Sequence, residues 1–361
     1  MDYFFKEARG KFDRELRGAI EAAASRLHEK LRKTDLKKTG ISEYNTRYLS
    51  SKLALPDASL RLYSYLISLA FTGGADAGRS VMLDYGGGSG MMSFLAKELG
   101  VGKVIYNDIY DVSCADVRKM SSALGLELFD VVCGDINDVI NRLNGTGTSV
   151  DVLVSYDVIE HIYDIENFLR TLNSVPHRKL RVVLGSGAND RNPVLRKRLM
   201  KQHVKFEYEN RAEEKGRKER DSTTSYLEMR KEIIAAKSEK LSGGEIENLA
   251  RMTRGLMKSD IERCVDLHLK GENIRYNPDH PTNTCDPATG NWAEHLMDQK
   301  KLLRALLESG FDARIESGYY HGESGGGMKK AVSACLNKTI SILGSGAAPL
   351  APFFVLVADT L

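Results

Sequence analysis

From residue 80 onward, short apolar segments alternate with helical ones, and no other feature restricts the possible folds as strongly. The apolar segments are SVMLDYG, KVIYND, FDVVCGD, VDVLVSYD and LRVVLGSG, with helical periodicity over residues 89–99, 112–124, 137–143 and 167–172 between them. Strands this apolar are buried on both faces, and crossovers of about 10 to 15 residues place helices on those faces. The rhythm predicts an α/β fold, doubly wound around a mostly parallel sheet.

The rest of the chain departs from this rhythm in two places. Residues 1–79 repeat apolar positions every three or four residues, as in KFDRELRGAIEAAASRLHEKLRK, with breaks at Gly40 and Pro56, which predicts an N-terminal helical cap. Residues 188–291 far exceed the usual connection of about 2 to 6 residues and read as an inserted lid or substrate subdomain. Core elements resume over 292–361: a helix over 293–309, FDARIESGYY, a flexible GESGGG link, a helix over 329–343 and the strand FFVLVADTL. The core is therefore expected to comprise 80–187 together with 292–361.

Composition narrows the class of function. Against 52 Lys+Arg stand 49 Asp+Glu, and a net charge of +3 does not by itself call for a polyanionic partner. The 5 cysteines form no C-x-x-C pair and no zinc spacing, so reduced thiols and no metal are expected. No basic head with a long apolar run opens the chain, and the apolar stretch 347–358 is broken by Pro349 and Pro352. A cytoplasmic protein with no membrane partner is the expectation.

The first strand runs into LDYGGGSG, with Gly86, Gly88 and Gly90 at alternate positions just before a helix. Glycines there let backbone amides approach a ligand, and the helix start offers unpaired N–H donors. Met91 stands where the dinucleotide pattern needs its third glycine, which disfavours NAD. Met328 likewise occupies the lysine position of a phosphate loop in GESGGGMKK.

These residues resemble class I S-adenosylmethionine-dependent methyltransferases, whose first motif is an acidic residue followed by G-x-G-x-G. Asp84 with Gly86, Gly87, Gly88 and Gly90 matches that motif, and the resemblance spans residues 80–186, more loosely 293–361. It implies a Rossmann-like core of seven strands that binds S-adenosyl-L-methionine. Asp108, followed by Ile109, falls where the family binds ribose hydroxyls; Asp135, followed by Ile136, falls where it contacts adenine. Tyr156 and Asp157 open YDVIEHI, which matches the D-x-x-E-H signature after the fourth strand. Independently, acids at the carboxyl ends of parallel strands suit a cationic nucleoside, because a carboxylate accepts two hydrogen bonds from a vicinal diol. Asp108 and Asp135 also suit helix capping.

Methyl transfer is an in-line displacement, so positioning supplies much of the rate, up to roughly 7 to 11 kcal/mol. His161, with Glu160 beside it, is the candidate base or substrate-orienting group, since histidine titrates nearest neutrality. Aromatic and histidine residues in segments outside the rhythm are candidates for the acceptor pocket: Tyr44, Tyr48, His280, Trp292, Tyr320 and His321. Packing at the junction is the simpler role for Trp292. The basic run Arg196, Lys197, Arg198, Lys201 and Lys205 is followed by Glu207, Glu209, Glu213 and Glu214, so it reads as a solvated helix face. The expected activity is methylation of a hydroxyl or amine on a small-molecule or glycan-type acceptor, with nucleic acid disfavoured. RNA methylation, or cofactor binding without transfer, are the alternatives; oligomeric state stays open.

Overall fold

Seven strands form one sheet in the order β3-β2-β1-β4-β5-β7-β6 in a computed structural model that describes residues 2–74, 76–211, 222–278, 280–321 and 327–361. They are β1 (Val81–Tyr85), β2 (Lys103–Asp108), β3 (Asp130–Cys133), β4 (Val152–Tyr156), β5 (Arg181–Ser186), β6 (Phe311–Ser317) and β7 (Phe354–Thr360). The first five pair in parallel, whereas β7 runs antiparallel to both β5 and β6. Strand order reverses between β1 and β4, and in open α/β sheets that is where ligands bind, beyond the strands' carboxyl ends. The predicted doubly wound, mostly parallel sheet is what forms.

The chain divides into two compact units. The first holds Met1–Val158, Glu166–Gly187 and Lys300–Leu361, and so contains the whole sheet. Its N-terminal helices are α1 (Arg14–Lys33), α2 (Glu43–Ala54) and α3 (Pro56–Phe71). Each has a start signal: Asp13 accepts the N–H groups of Glu15 and Leu16, Ser42 accepts that of Asn45, and Pro56 opens α3. Helix α3 is buried along nearly its whole length, packed on β4 and β5 with α1 also against it. Burying side chains such as Leu66, Ile67 and Phe71 stabilises this seat by about 1.5 to 3 kcal/mol each.

Helices α4 (Met91–Leu99), α5 (Asp111–Leu124) and α6 (Ile136–Thr146) are the crossovers between the first four strands. Each ends on a left-handed glycine, at Gly100, Gly125 and Gly147, which satisfies the last carbonyls without steric cost. Helix α7 (Ile165–Thr171) leads toward β5, α12 (Gln299–Glu308) precedes β6, and α13 (Gly327–Leu343) lies between β6 and β7. Most of the glycine-rich link, 322–326, lies outside the described residues.

The second unit comprises Ile159–Ile165 and Ala188–Gln299, so its boundary lies eight residues beyond the expected 291 and it also takes in the segment after β4. It holds α8 (Pro193–Tyr208), α9 (Tyr226–Lys237), α10 (Gly243–Met252) and α11 (Lys258–Leu269). Its core joins Leu227, Ile234, Leu249, Ile261 and Val265. The helix expected over 293–309 begins only at Gln299. The reason is visible in the backbone: Ala293 N–H donates to Thr284 O at 3.0 Å and His295 N–H to Glu160 O at 3.0 Å, while Glu294 adopts φ 62°. With their donors committed elsewhere and one residue left-handed, 293–298 cannot wind.

Candidate active site

The turn after β1 is held by β2. Gly87 N–H donates to Asn107 O at 2.8 Å, and the Tyr106 hydroxyl donates to Gly88 O at 2.6 Å. The Asp108 carboxylate accepts from Gly88 N–H at 2.9 Å through Oδ2 and from Tyr110 N–H at 2.8 Å through Oδ1. Asn107 Nδ2 in turn donates to Val132 O and Gly134 O, tying the end of β2 to the end of β3. Tyr106 and Asp108 alternate along one strand, so one face of β2 carries both groups that grip the glycine turn.

Two glycines are required by this geometry. Gly86 has φ 71°, and a Cβ there would fall 2.4 Å from Val158 Cγ2. Gly88 has φ 53°, and a Cβ there would meet nothing within 4 Å, so the crest of the turn borders open space.

The other acids divide by role. Asp84 is fully buried behind the turn, where Ser93 Oγ donates to its Oδ2 at 2.6 Å. Loss of water pushes its carboxyl up to about 7; hydrogen bonds from Ser93 oppose that, and the Asp108 charge adds to it. Its Oδ1 is buried with no hydrogen-bond partner among the described residues. Asp135 caps α6: its Oδ1 accepts from Asn137 and Asp138 N–H, and Asp138 returns a bond to Asp135 N–H. The capping role weighed from the sequence is therefore present.

Asp157 sits at φ 55°, a conformation that costs about 1 kcal/mol or more and concentrates at functional sites. Its N–H donates to Gly185 O at 3.1 Å, and its Oδ1 accepts from Gly187 N–H at 3.3 Å. Tyr156 turns its ring edge to Phe353 at 5.9 Å. Ile109 is exposed, whereas Ile136 is buried.

Tyr48 and Tyr44, one turn apart on α2, stack at 6.3 Å, and Tyr44 meets Tyr110 edge-on at 5.7 Å. Ser42 and Asn45 both donate to Asp116 on α5, which pins this helix. Desolvation of the Tyr48 hydroxyl, then the charges of Asp157 and Asp108, push it up to about 12. Tyr48 thus lies in electrostatic range of both strand-end acids. Lys52 stands 5.2 Å over the Tyr48 ring, and the buried Tyr63 feels both Lys52 and Asp157. Lys52, Tyr63, Tyr106 and Asn107 escaped the sequence reading. A period-2 face was available for Tyr106, but nothing local marks Lys52 or Tyr63.

Tyr320 and His321 belong elsewhere in the first unit. Asn337 bonds both the N–H and the carbonyl of Tyr320, while the His321 ring lies 5.5 Å from that of Phe5 and its carbonyl accepts from Arg61. Their surroundings are an aromatic cluster built from the N-terminal segment.

Glu160, His161, His280 and Trp292 belong to the second unit. Trp292 is buried there, stacked on Tyr163 at 6.1 Å and on His295 at 4.2 Å, with Nε1 donating to Tyr163 O. Packing is its visible role. His161 Nδ1 lies 2.8 Å from Trp292 O. A carbonyl only accepts, so Nδ1 carries the proton and Nε2 presents a lone pair. Glu160 is fully buried. His280 Nδ1 is 3.0 Å from Thr282 Oγ1, and burial followed by the charges of Arg196 and Arg254 holds this imidazole below its ordinary range. Among the described residues no group of three His, Cys, Asp or Glu is arranged to hold a metal.

Residues 83–179 match a family model described as a methyltransferase domain. A comparison with curated proteins gave no match. Similar solved structures include an S-adenosylmethionine dependent methyltransferase from Mesorhizobium loti, at 15% identity and TM-score 0.38 over 82% of this chain and 96% of that one. The plantazolicin methyltransferase BpumL in complex with SAH aligns at 11% identity and TM-score 0.38 over 96% of this chain and 100% of that one. SMU.776, described as a methyltransferase and also complexed with SAH, aligns at 13% identity and TM-score 0.30 over 39% of this chain, which spans only 38% of its length. The family match thus falls on the strands and crossovers that carry the glycine turn and its acids, and over residues 83–179 the chain is similar to a methyltransferase domain.

Proposed function

We propose that the chain transfers a methyl group from S-adenosylmethionine to a hydroxyl or amine of a small-molecule or glycan-type acceptor. The observation that carries the cofactor reading is the acceptor-rich rim at the β1/β4 reversal. Asp108 has both carboxylate oxygens, each accepting one backbone N–H, beside a turn whose crest borders open space, and Asp84 keeps a buried oxygen with no donor among the described residues. Surplus acceptors fit a ligand that brings ribose hydroxyls, an amine and positive charge.

When bound, S-adenosylmethionine supplies an electrophilic methyl group on a sulfonium. The chain's own part is to hold and enclose. Asp108 accepts the ribose hydroxyls, Asp135 accepts from the adenine amine through the oxygen not used in its cap, and the glycine turn admits the nucleoside backbone-close. Gly86, Gly87, Gly88, Gly90, Ile109, Ile136, Tyr156 and Asp157 complete this cofactor set. Tyr44 and Tyr48 exclude water on the acceptor side. His161, with Glu160 preceding it, takes the acceptor's proton at Nε2 as the nucleophile attacks, leaving Nδ1–H on the Trp292 carbonyl. Tyr320, His321, His280 and Trp292 remain candidates for acceptor contacts, with packing the simpler role for Trp292.

The test is calorimetry with S-adenosylmethionine on wild type and Asp108→Ala. Each charge-assisted hydrogen bond is worth about 1.5 to 3 kcal/mol, so losing both ribose contacts is expected to weaken binding at least about 100-fold. Gly88 and Tyr110 lose their acceptor too, so Asp108→Asn is the milder companion. Equal affinity in all three proteins rejects the site. An acceptor screen reading release of S-adenosylhomocysteine then separates transfer from binding alone.

One observation supports a second acceptor class. On α8 the exposed residues Arg196, Lys197, Arg198, Lys201 and Lys205 were expected to be neutralised by neighbouring acids. Glu207, however, is buried and pairs with the fully buried Arg230, so it does not offset that face; Glu209 is exposed at the end of α8, and Glu213 and Glu214 lie outside the described residues. A basic helix face suits a phosphate-bearing acceptor such as RNA. RNA retention that falls steeply with salt and disappears when Arg198 and Lys201 become Glu is the result that selects this class.

A further inference from the structure

Helix α13 presents most of its large apolar side chains outward. Its 17 residues, GMKKAVSACLNKTISIL, bury only Asn337 and Ile340. On the inward face Ile340 joins the main hydrophobic core, and polar groups add to the fastening: Asn337 grips the Tyr320 backbone and Ser341 Oγ donates to Glu7 O at 3.0 Å. The outward face is largely apolar, with Thr339 the polar side chain within it. Met328 is 83% exposed, Val332 53%, Ile342 74% and Leu343 53%, and Cys335 is exposed among them. Steps of three, four and seven residues place these side chains on one stripe.

An apolar stripe facing outward along a whole helix marks a covered surface, and the charges on α13 say what kind of cover it takes. The helix carries Lys329, Lys330 and Lys338 and no Asp or Glu. On a 3.6-residue wheel Lys329 and Lys338 flank the stripe on opposite sides. A second copy docked through this stripe would bring lysine against lysine with no acid to offset it. An anionic lipid surface instead takes the stripe into its acyl boundary while the lysines extend to the headgroups. We infer that α13 docks the protein on anionic membrane surfaces, lying in the interface without crossing it. Among the described residues no helix is long and apolar enough to cross a membrane, so only this in-plane mode is available. The expectation of no membrane partner was drawn from the lack of an anchor segment, which a short interfacial helix does not require. This inference is independent of the transferase reading.

The experiment is co-sedimentation of the full chain with vesicles of pure phosphatidylcholine and with vesicles in which a quarter of that lipid is replaced by phosphatidylserine. Wild type is expected to pellet with the anionic vesicles and to be released by high salt. Each Lys→Ala replacement at 329, 330 or 338 is expected to weaken binding about fivefold. The double variant Met328→Glu, Ile342→Glu is expected to abolish it, while its melting curve stays that of wild type because both side chains already face outward. The inference is overturned if wild type stays in the supernatant with both vesicles, or if the glutamate variant binds as well as wild type. It is equally overturned if light scattering shows a dimer that the glutamate variant dissociates, since a second copy then covers the stripe.

Discussion

Replacing His161 by alanine is expected to lower turnover by about 10²- to 10⁴-fold while leaving S-adenosylmethionine affinity within about twofold of wild type, the range that a positioned general base contributes. The physical basis is a fixed tautomer. The Trp292 carbonyl 2.8 Å from Nδ1 accepts only, so Nε2 is the nitrogen able to take a proton. Glutamine at 161 keeps an amide N–H for the same carbonyl yet has no basic nitrogen, so H161Q is expected to fall as far as H161A. Should H161Q retain wild-type turnover while H161A loses it, His161 positions its surroundings and is not the base. Unaltered turnover in both removes it from the reaction altogether. Calorimetry of each variant keeps loss of cofactor binding distinct from loss of the chemical step.

The second large effect concerns Asp84 and appears without any acceptor. Its carboxyl, ordinarily near 3.8, is raised to about 7 because the folded chain buries it completely. The native state therefore holds this proton more tightly than the unfolded chain does. The stability so gained is fully present below the ordinary carboxylate pKa and is lost as pH rises toward 7. A shift of about three units corresponds to roughly 4 kcal/mol as an upper figure. Asparagine at this position does not titrate. Between pH 4 and 8 the unliganded wild type is thus expected to lose stability relative to Asp84→Asn by up to about 4 kcal/mol, read as diverging melting temperatures. Parallel curves would mean that Asp84 stays ionised in its pocket. Adding S-adenosylmethionine at pH 8 is expected to stabilise wild type more than the variant, because only the carboxylate offers charge to a cationic ligand.

The candidate site was legible where its chemistry is local. The alternation of strand and crossover, the glycine turn and the acids closing β1, β2, β3 and the segment after β4 all follow from short-range pattern, since each residue's role is set by its place at a strand end. Glycine spacing alone excluded the dinucleotide pattern. Contacts made by residues distant in sequence were not legible. Tyr48 comes into electrostatic range of Asp108 and Asp157 on a helix that Ser42 and Asn45 tie to Asp116, about seventy residues later. Trp292 is taken up by stacking on Tyr163, and His321 by Phe5 and Arg61, neighbours that no local window contains.

What the amino-acid order determined by itself was the class of the core and the chemistry of its rim, because periodicity fixes which residues share a face and strand ends fix where a ligand meets the sheet. The tertiary structure alone decided which face is covered. Asp84 became an interior group with a raised pKa, Glu207 turned inward to Arg230, and 293–298 gave up helix for bonds to Thr284 and Glu160. The apolar stripe of α13 ended outside. In each case the pattern was in the chain, but its burial depended on partners that arrive from elsewhere in the sequence, and burial sets the charge, the pairing and the exposure on which function rests.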